Sequence, residues 1–122
     1  MYILKDQMVI EQKTEVRGGL GTLSFKHIIP GDALYKAGTM LAEITIPAGC
    51  SLGVHDHVEN FEWYYIIQGE AKVTDGNEEK ILTAGDAEIC GEGNTHFVTN
   101  VGTTDVKLLA GIMWNPAKHE YK

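Results

Sequence analysis

Glycine stands at positions 18, 19, 21, 31, 38, 49, 53, 69, 76, 85, 91, 93, 102 and 111, and this spacing divides the chain into short segments of the length found in a β-sandwich or barrel. Strands are expected over 8–11, 22–29, 40–46, 52–56, 62–68, 71–74, 79–82, 87–90, 96–100 and 106–114. Asp75-Gly76-Asn77 is a hairpin signal between two of them, and only 30–37 suits a helical turn. The expectation is an all-β chain. At 122 residues it forms a single domain that can bury a core without disulfide staples. Cys50 and Cys90 are expected to be free thiols, small residues near strand ends.

Composition excludes several function classes. A formal charge of −7, with no cluster of Lys and Arg to offset it, argues against a nucleic-acid partner, since phosphate binders present basic patches. No apolar run approaches the roughly 18 residues of a membrane span. The start, Met1-Tyr-Ile-Leu-Lys-Asp, lacks the pattern of a secretory signal, so a cytoplasmic location is expected.

Four residues carry the chemistry. Side chains on a strand alternate with a period of two, so His55 and His57 project from one side, roughly 7 Å apart along it, and their imidazoles can converge on one ion. Glu62 lies at an odd offset from His57, so a reversal is expected over Val58-Glu59-Asn60-Phe61, where Asn60 tolerates turn conformations. His96 must come from a different strand. Imidazole with carboxylate suits one divalent transition metal (Mn, Fe, Co, Ni, Cu or Zn) in preference to calcium. Four protein ligands on an ion that accepts more leave positions for water, dioxygen or a chelating small molecule.

These residues fall in two blocks that resemble the two motifs of the cupin superfamily. Gly49, His55, His57, Glu62 and Gly69 match the first, over 49–69, and Gly85, Gly93, His96 and Asn100 match the second, over 85–100. Gly91 stands where the family most often has proline, which loosens the turn before the last ligand strand. The resemblance implies an antiparallel jelly-roll β-barrel, the double-stranded β-helix, with the metal inside.

Further residues are singled out by parity with Glu62. Tyr64, Ile66 and Gln68 are expected on the pocket face, with Tyr64 the nearest hydroxyl to the metal and a candidate catalytic residue. Glu59 is a second candidate, a carboxylate within the ligand loop suited to acid-base work. Of Lys26 and His27 at most one faces inward, and His119 is expected at the surface. The connection from Gly69 to Gly85 is two short strands with no room for a lid, so a cover over the pocket would come from the amino-terminal stretch. There Arg17 precedes three glycines and could pair with an anion. Trp63, Tyr65, Phe97 and Trp114 are expected outside the core, where a second copy would cover them in a homodimer. Two functions fit: a metal-dependent enzyme (oxygenase, decarboxylase or isomerase) acting on a small polar, oxygen-rich molecule, and a non-catalytic protein that binds such a ligand or the metal.

Overall fold

The computed structural model describes residues 1–118. Ten strands run in chain order: β1 (Val9–Thr14), β2 (Thr22–Ile29), β3 (Gly38–Ile46), β4 (Ser51–Asp56), β5 (Asn60–Gln68), β6 (Ala71–Asp75), β7 (Glu78–Leu82), β8 (Ala87–Cys90), β9 (Thr95–Asn100) and β10 (Val106–Trp114). All pairings are antiparallel. One sheet has six strands in the order β1-β2-β3-β10-β5-β8, and the other has four in the order β4-β9-β6-β7. Among the described residues no helix is long and apolar enough to cross a membrane. The helical segments are single 3-10 turns, among them Gly31–Leu34, where a turn was expected.

The two sheets share one core. Leu23, Ile44, Ile66 and Leu108 from the six-stranded sheet pack in the same cluster as Leu52, Val73 and Val98 from the four-stranded sheet. Each such fully buried side chain contributes roughly 1.5–3 kcal/mol of transfer free energy. Alternation places these residues inward and their neighbours outward, as β5 shows: Glu62, Tyr64 and Ile66 are buried while Tyr65 and Ile67 are exposed.

Some expectations are corrected and others are met. Gln68 does not continue the inward face, because the β5–β10 register slips between Ile66 and Gln68. Its side chain is exposed and its Nε2 donates to the Asp105 carbonyl at 3.0 Å. Trp63 points outward but lies flat over Gly111, where any Cβ would overlap the indole, so the ring is only half exposed. Phe97 and Trp114 are likewise half-buried, which leaves Tyr65 as the exposed member of that set. On β2, His27 shares the inward side with Phe25 and binds Glu11 of β1 at 2.5 Å. His119 lies outside the described residues. Both cysteines are free.

Candidate metal centre

β4 and β9 are neighbours, and their register sets His55 directly opposite His96. β4 ends at Asp56, so His57 stands just past the strand, and the chain then crosses to the six-stranded sheet to begin β5. The reversal is made by Glu59, which holds the left-handed conformation at φ 61. Asn60, expected to make that turn, instead has its side-chain oxygen against His57 Nδ1 at 2.8 Å. Glu62 then projects inward from β5. The structure thus brings the four expected ligands together, all buried.

Each histidine is oriented by a partner on its Nδ1. His55 donates to the Gly53 carbonyl at 2.9 Å, His57 to Asn60 Oδ1, and His96 to both oxygens of Glu88 at 3.1 and 3.2 Å. These acceptors fix one tautomer and leave every Nε2 facing the others. The Nε2 atoms of His55 and His96 lie 2.8 Å apart, and those of His57 and His96 3.1 Å. Glu62 Oε1 stands 3.1, 3.2 and 2.9 Å from the Nε2 atoms of His55, His57 and His96. Bare imidazole lone pairs and a carboxylate oxygen at these separations repel one another unless a cation lies among them. Bonds of about 2.1 Å to a six-coordinate ion put adjacent ligand atoms about 3.0 Å apart. The donor set and its spacing therefore fit a divalent transition metal.

The surrounding electrostatics agree with a cation. Burial would raise the Glu62 carboxyl, but the imidazoles of His55, His57 and His96 gathered around it hold it well below the usual carboxylate range. Burial opposes charge on His96 too, yet Glu62 and Glu88 push it up to about 9. The site attracts a positive charge, whether a proton or a metal ion. Glu88 itself is raised by burial, an effect that His96 opposes and Asp75 reinforces.

Tyr64 is fully buried, and its hydroxyl donates to Glu62 Oε1 at 3.1 Å while its ring stacks on His96, 4.9 Å between centroids and 5° from parallel. It touches the ligand sphere and does not line the open cavity. Glu59 is exposed and shares a surface depression with His57, Glu92 and Lys118. Sequence reasoning missed the orienting roles of Glu88 and Asn60. The i, i+3 spacing of Asn60 after His57 was visible, whereas the approach of Glu88 depends on β8 pairing with β5. Glu88, Cys90 and His96 form a second group of ligand types. There the Cys90 thiol is pushed up to about 12, by burial first and then by Glu88, Asp75 and Glu62.

Asn100 and Gly91 concern the scaffold. Asn100 is buried and ties three backbone groups: its Nδ2 donates to the Ile46 and Thr104 carbonyls at 2.8 Å each, and its Oδ1 accepts from Gly102 N–H. The turn at Gly91 is closed by a hydrogen bond from Asn94 N–H to its carbonyl, and Gly91 is not in the left-handed region.

A cavity of about 310 Å³ opens from His55, His57 and Glu62. The model of the cupin domain matches residues 42–112. The chain is 31% identical over 113 residues to a Thermotoga maritima protein named as an oxalate-binding protein, covering 93% of each. It also superposes on the crystal structure of a predicted oxalate decarboxylase from Thermotoga maritima with a TM-score of 0.90 and 30% identity, over 94% of this chain and all of that one. An RmlC-like cupin from Shewanella frigidimarina shares the fold at a TM-score of 0.73 and 20% identity, over 94% of this chain and 91% of that one.

Proposed function

The chain belongs to the cupin family, and from that premise we propose that it holds one divalent transition metal on His55, His57, Glu62 and His96 and uses it to bind a small chelating organic acid of the oxalate kind. The observation that carries this reading is the ligand spacing. Five of the six ligand-atom pairs are 2.8–3.2 Å apart. An ion that accepts more than four donors would be held by these four residues with room left for a two-oxygen chelator. When bound, such an ion supplies Lewis-acid polarisation of a ligand oxygen. The protein contributes orientation, through the three Nδ1 acceptors, and a buried anion, Glu62. The likeness to an oxalate-binding protein and a predicted oxalate decarboxylase supports this ligand class. We carry the jelly-roll barrel as the fold reading that goes with it, supported by the single core the two sheets share.

Turnover is the second reading, as a decarboxylase, oxygenase or isomerase. It is favoured by titratable groups, Lys13 and Asp56, that line the same cavity without belonging to the ligand set. In this reading Tyr64 acts by holding Glu62, and Glu59, which does not line the cavity, would act only from outside it. A homodimer is also proposed: Tyr65, Ile67 and Ile89 leave an exposed apolar strip on the outer side of β5 and β8. A monomeric mass by light scattering would rule it out.

The test is calorimetric titration of oxalate into protein purified without chelator, after chelator treatment, and after reloading with Mn or Zn. About one ion per chain and oxalate binding that disappears and returns with the metal are expected. Oxalate binding that survives complete metal removal would overturn the reading. Release of formate and carbon dioxide from oxalate by the loaded protein would establish turnover.

A further inference from the structure

The cavity is larger than oxalate requires. Its 310 Å³ corresponds to about ten water volumes, against two or three for a two-carbon diacid. The walls change character around it. His55, His57, Asn60 and Glu62 form a polar end; Phe25, Met40, Ile44, Leu52 and Ile112 supply apolar wall; and Lys13, Arg17 and Asp56 are the charged residues outside the ligand cluster. Those three sum to +1 in a chain whose formal charge is −7. Among the described residues, neither Lys13 nor Arg17 has a carboxylate within 4.0 Å. Outside the ligand cluster, two cations against one carboxylate leave this wall of an acidic protein with a net positive charge that suits an anion from outside.

Packing fixes the Lys13 ammonium and the Arg17 backbone. The Lys13 ammonium sits 4.8 Å from the centroid of Phe25, itself part of the cavity wall. Arg17 has φ 54, in a turn where Glu15 and Gly18 are also left-handed. A non-glycine residue keeps that conformation only when its surroundings impose it, and such positions concentrate at functional sites. Here β4 imposes it. Leu20 N–H donates to Ser51 Oγ and Ser51 N–H to the Leu20 carbonyl, both at 2.9 Å. Gly53 lies so close that a Cβ there would overlap the Arg17 carbonyl. The Gly53 carbonyl is also the group that orients His55. One residue of β4 thus joins the Arg17 turn to the metal cluster.

We propose that Lys13 and Arg17 bind a second anionic group of the ligand, so that the preferred ligand is a diacid longer than oxalate with a chelating oxygen pair at one end, an apolar middle, and a carboxylate at the other. This rests on the reading of the cluster as a metal site that binds chelating acids. Lys13 and Arg17 determine specificity and leave metal retention alone.

The experiment uses the metal-loaded full chain and matched pairs of ligands: malate against 2-hydroxybutyrate, and 2-hydroxyglutarate against 2-hydroxypentanoate. Within each pair the chelating end is the same and only the distal carboxylate differs. Calorimetry is expected to show at least one diacid binding tenfold or more tighter than its monoacid, with a gap that narrows in high salt. In Lys13→Gln with Arg17→Gln the diacid is expected to fall to the affinity of the monoacid at unchanged metal content, which also reports that the fold is intact. Lys13→Gln alone, on an exposed strand, should give part of the loss. Equal affinity for diacid and monoacid in the natural chain, with oxalate still bound, overturns this inference alone, as does a double variant that retains both its metal and the gap. Failure of every acid, oxalate included, to bind the loaded protein overturns this inference and the proposed function together.

Discussion

All three imidazoles of the cluster stand on or just beyond strands of the four-stranded sheet, whereas Glu62, Glu88 and the Tyr64 phenol stand on β5 and β8 of the six-stranded sheet. One sheet supplies imidazoles and the other supplies carboxylates and a phenol. The two orient their histidines differently as well: His55 and His57 lean on neutral oxygens from their own segment, while His96 leans across the core on a carboxylate. The centre exists only where the sheets face each other, and damage to each side should fail in its own way.

The largest expected effect comes from the imidazole side. His55→Ala with His96→Ala should reduce metal from about one ion per chain to none by elemental analysis, and stoichiometric metal in that variant would show that these histidines are not the ligands. On the carboxylate side, Glu62→Gln should weaken metal affinity about 100-fold or more in chelator competition, since it removes the one anionic donor. A change under threefold would mean that the imidazoles suffice.

The pH dependence sharpens the contrast. His96 is raised from 6.5 to about 9, so in metal-free protein its ion pairs stabilise the fold fully below about 6.5 and lose that contribution as pH rises through about 9. Glu62 is depressed, so its contribution is present above its ordinary 4.5 and is lost as pH falls toward its folded value. Urea midpoints of the metal-free protein should therefore peak between about 4.5 and 6.5. Metal must displace the His96 proton, so affinity should climb about tenfold per pH unit and level near 9. Glu88→Gln should move that plateau to lower pH, and an unmoved plateau would remove Glu88 from the account. The smallest effect is expected from Tyr64→Phe, which gives up a hydrogen bond to a charged group worth about 1.5–3 kcal/mol of metal-free stability while metal content stays constant.

Much of this was legible beforehand because it depends on local periodicity. Alternation of two put His55 and His57 together and Tyr64 beside Glu62, and all ten strands were expected, with a glycine between every consecutive pair except β4 and β5. β1 was expected to stop at Glu11 but runs to Thr14, because pairing with β2 and not its own composition extends it. Partners set by cross-strand register were not legible, since nothing near Glu88 or Gln68 in sequence records that β8 faces Tyr64 or that β5 slips against β10. Likewise Arg17 showed its charge in the sequence, but its left-handed backbone becomes apparent only once β4 is packed against it.

Every residue of β1 is exposed, Val9 and Ile10 by 63% and 58%, and this strand carries Lys13. Substitutions on a segment that buries so little cost the folded state little. The residue that discriminates among acids thus rides on the most replaceable strand, while the metal cluster sits in a core that tolerates almost no change. Such a molecule can evolve new ligand preferences by drifting at its edge and never risk the centre that makes binding possible.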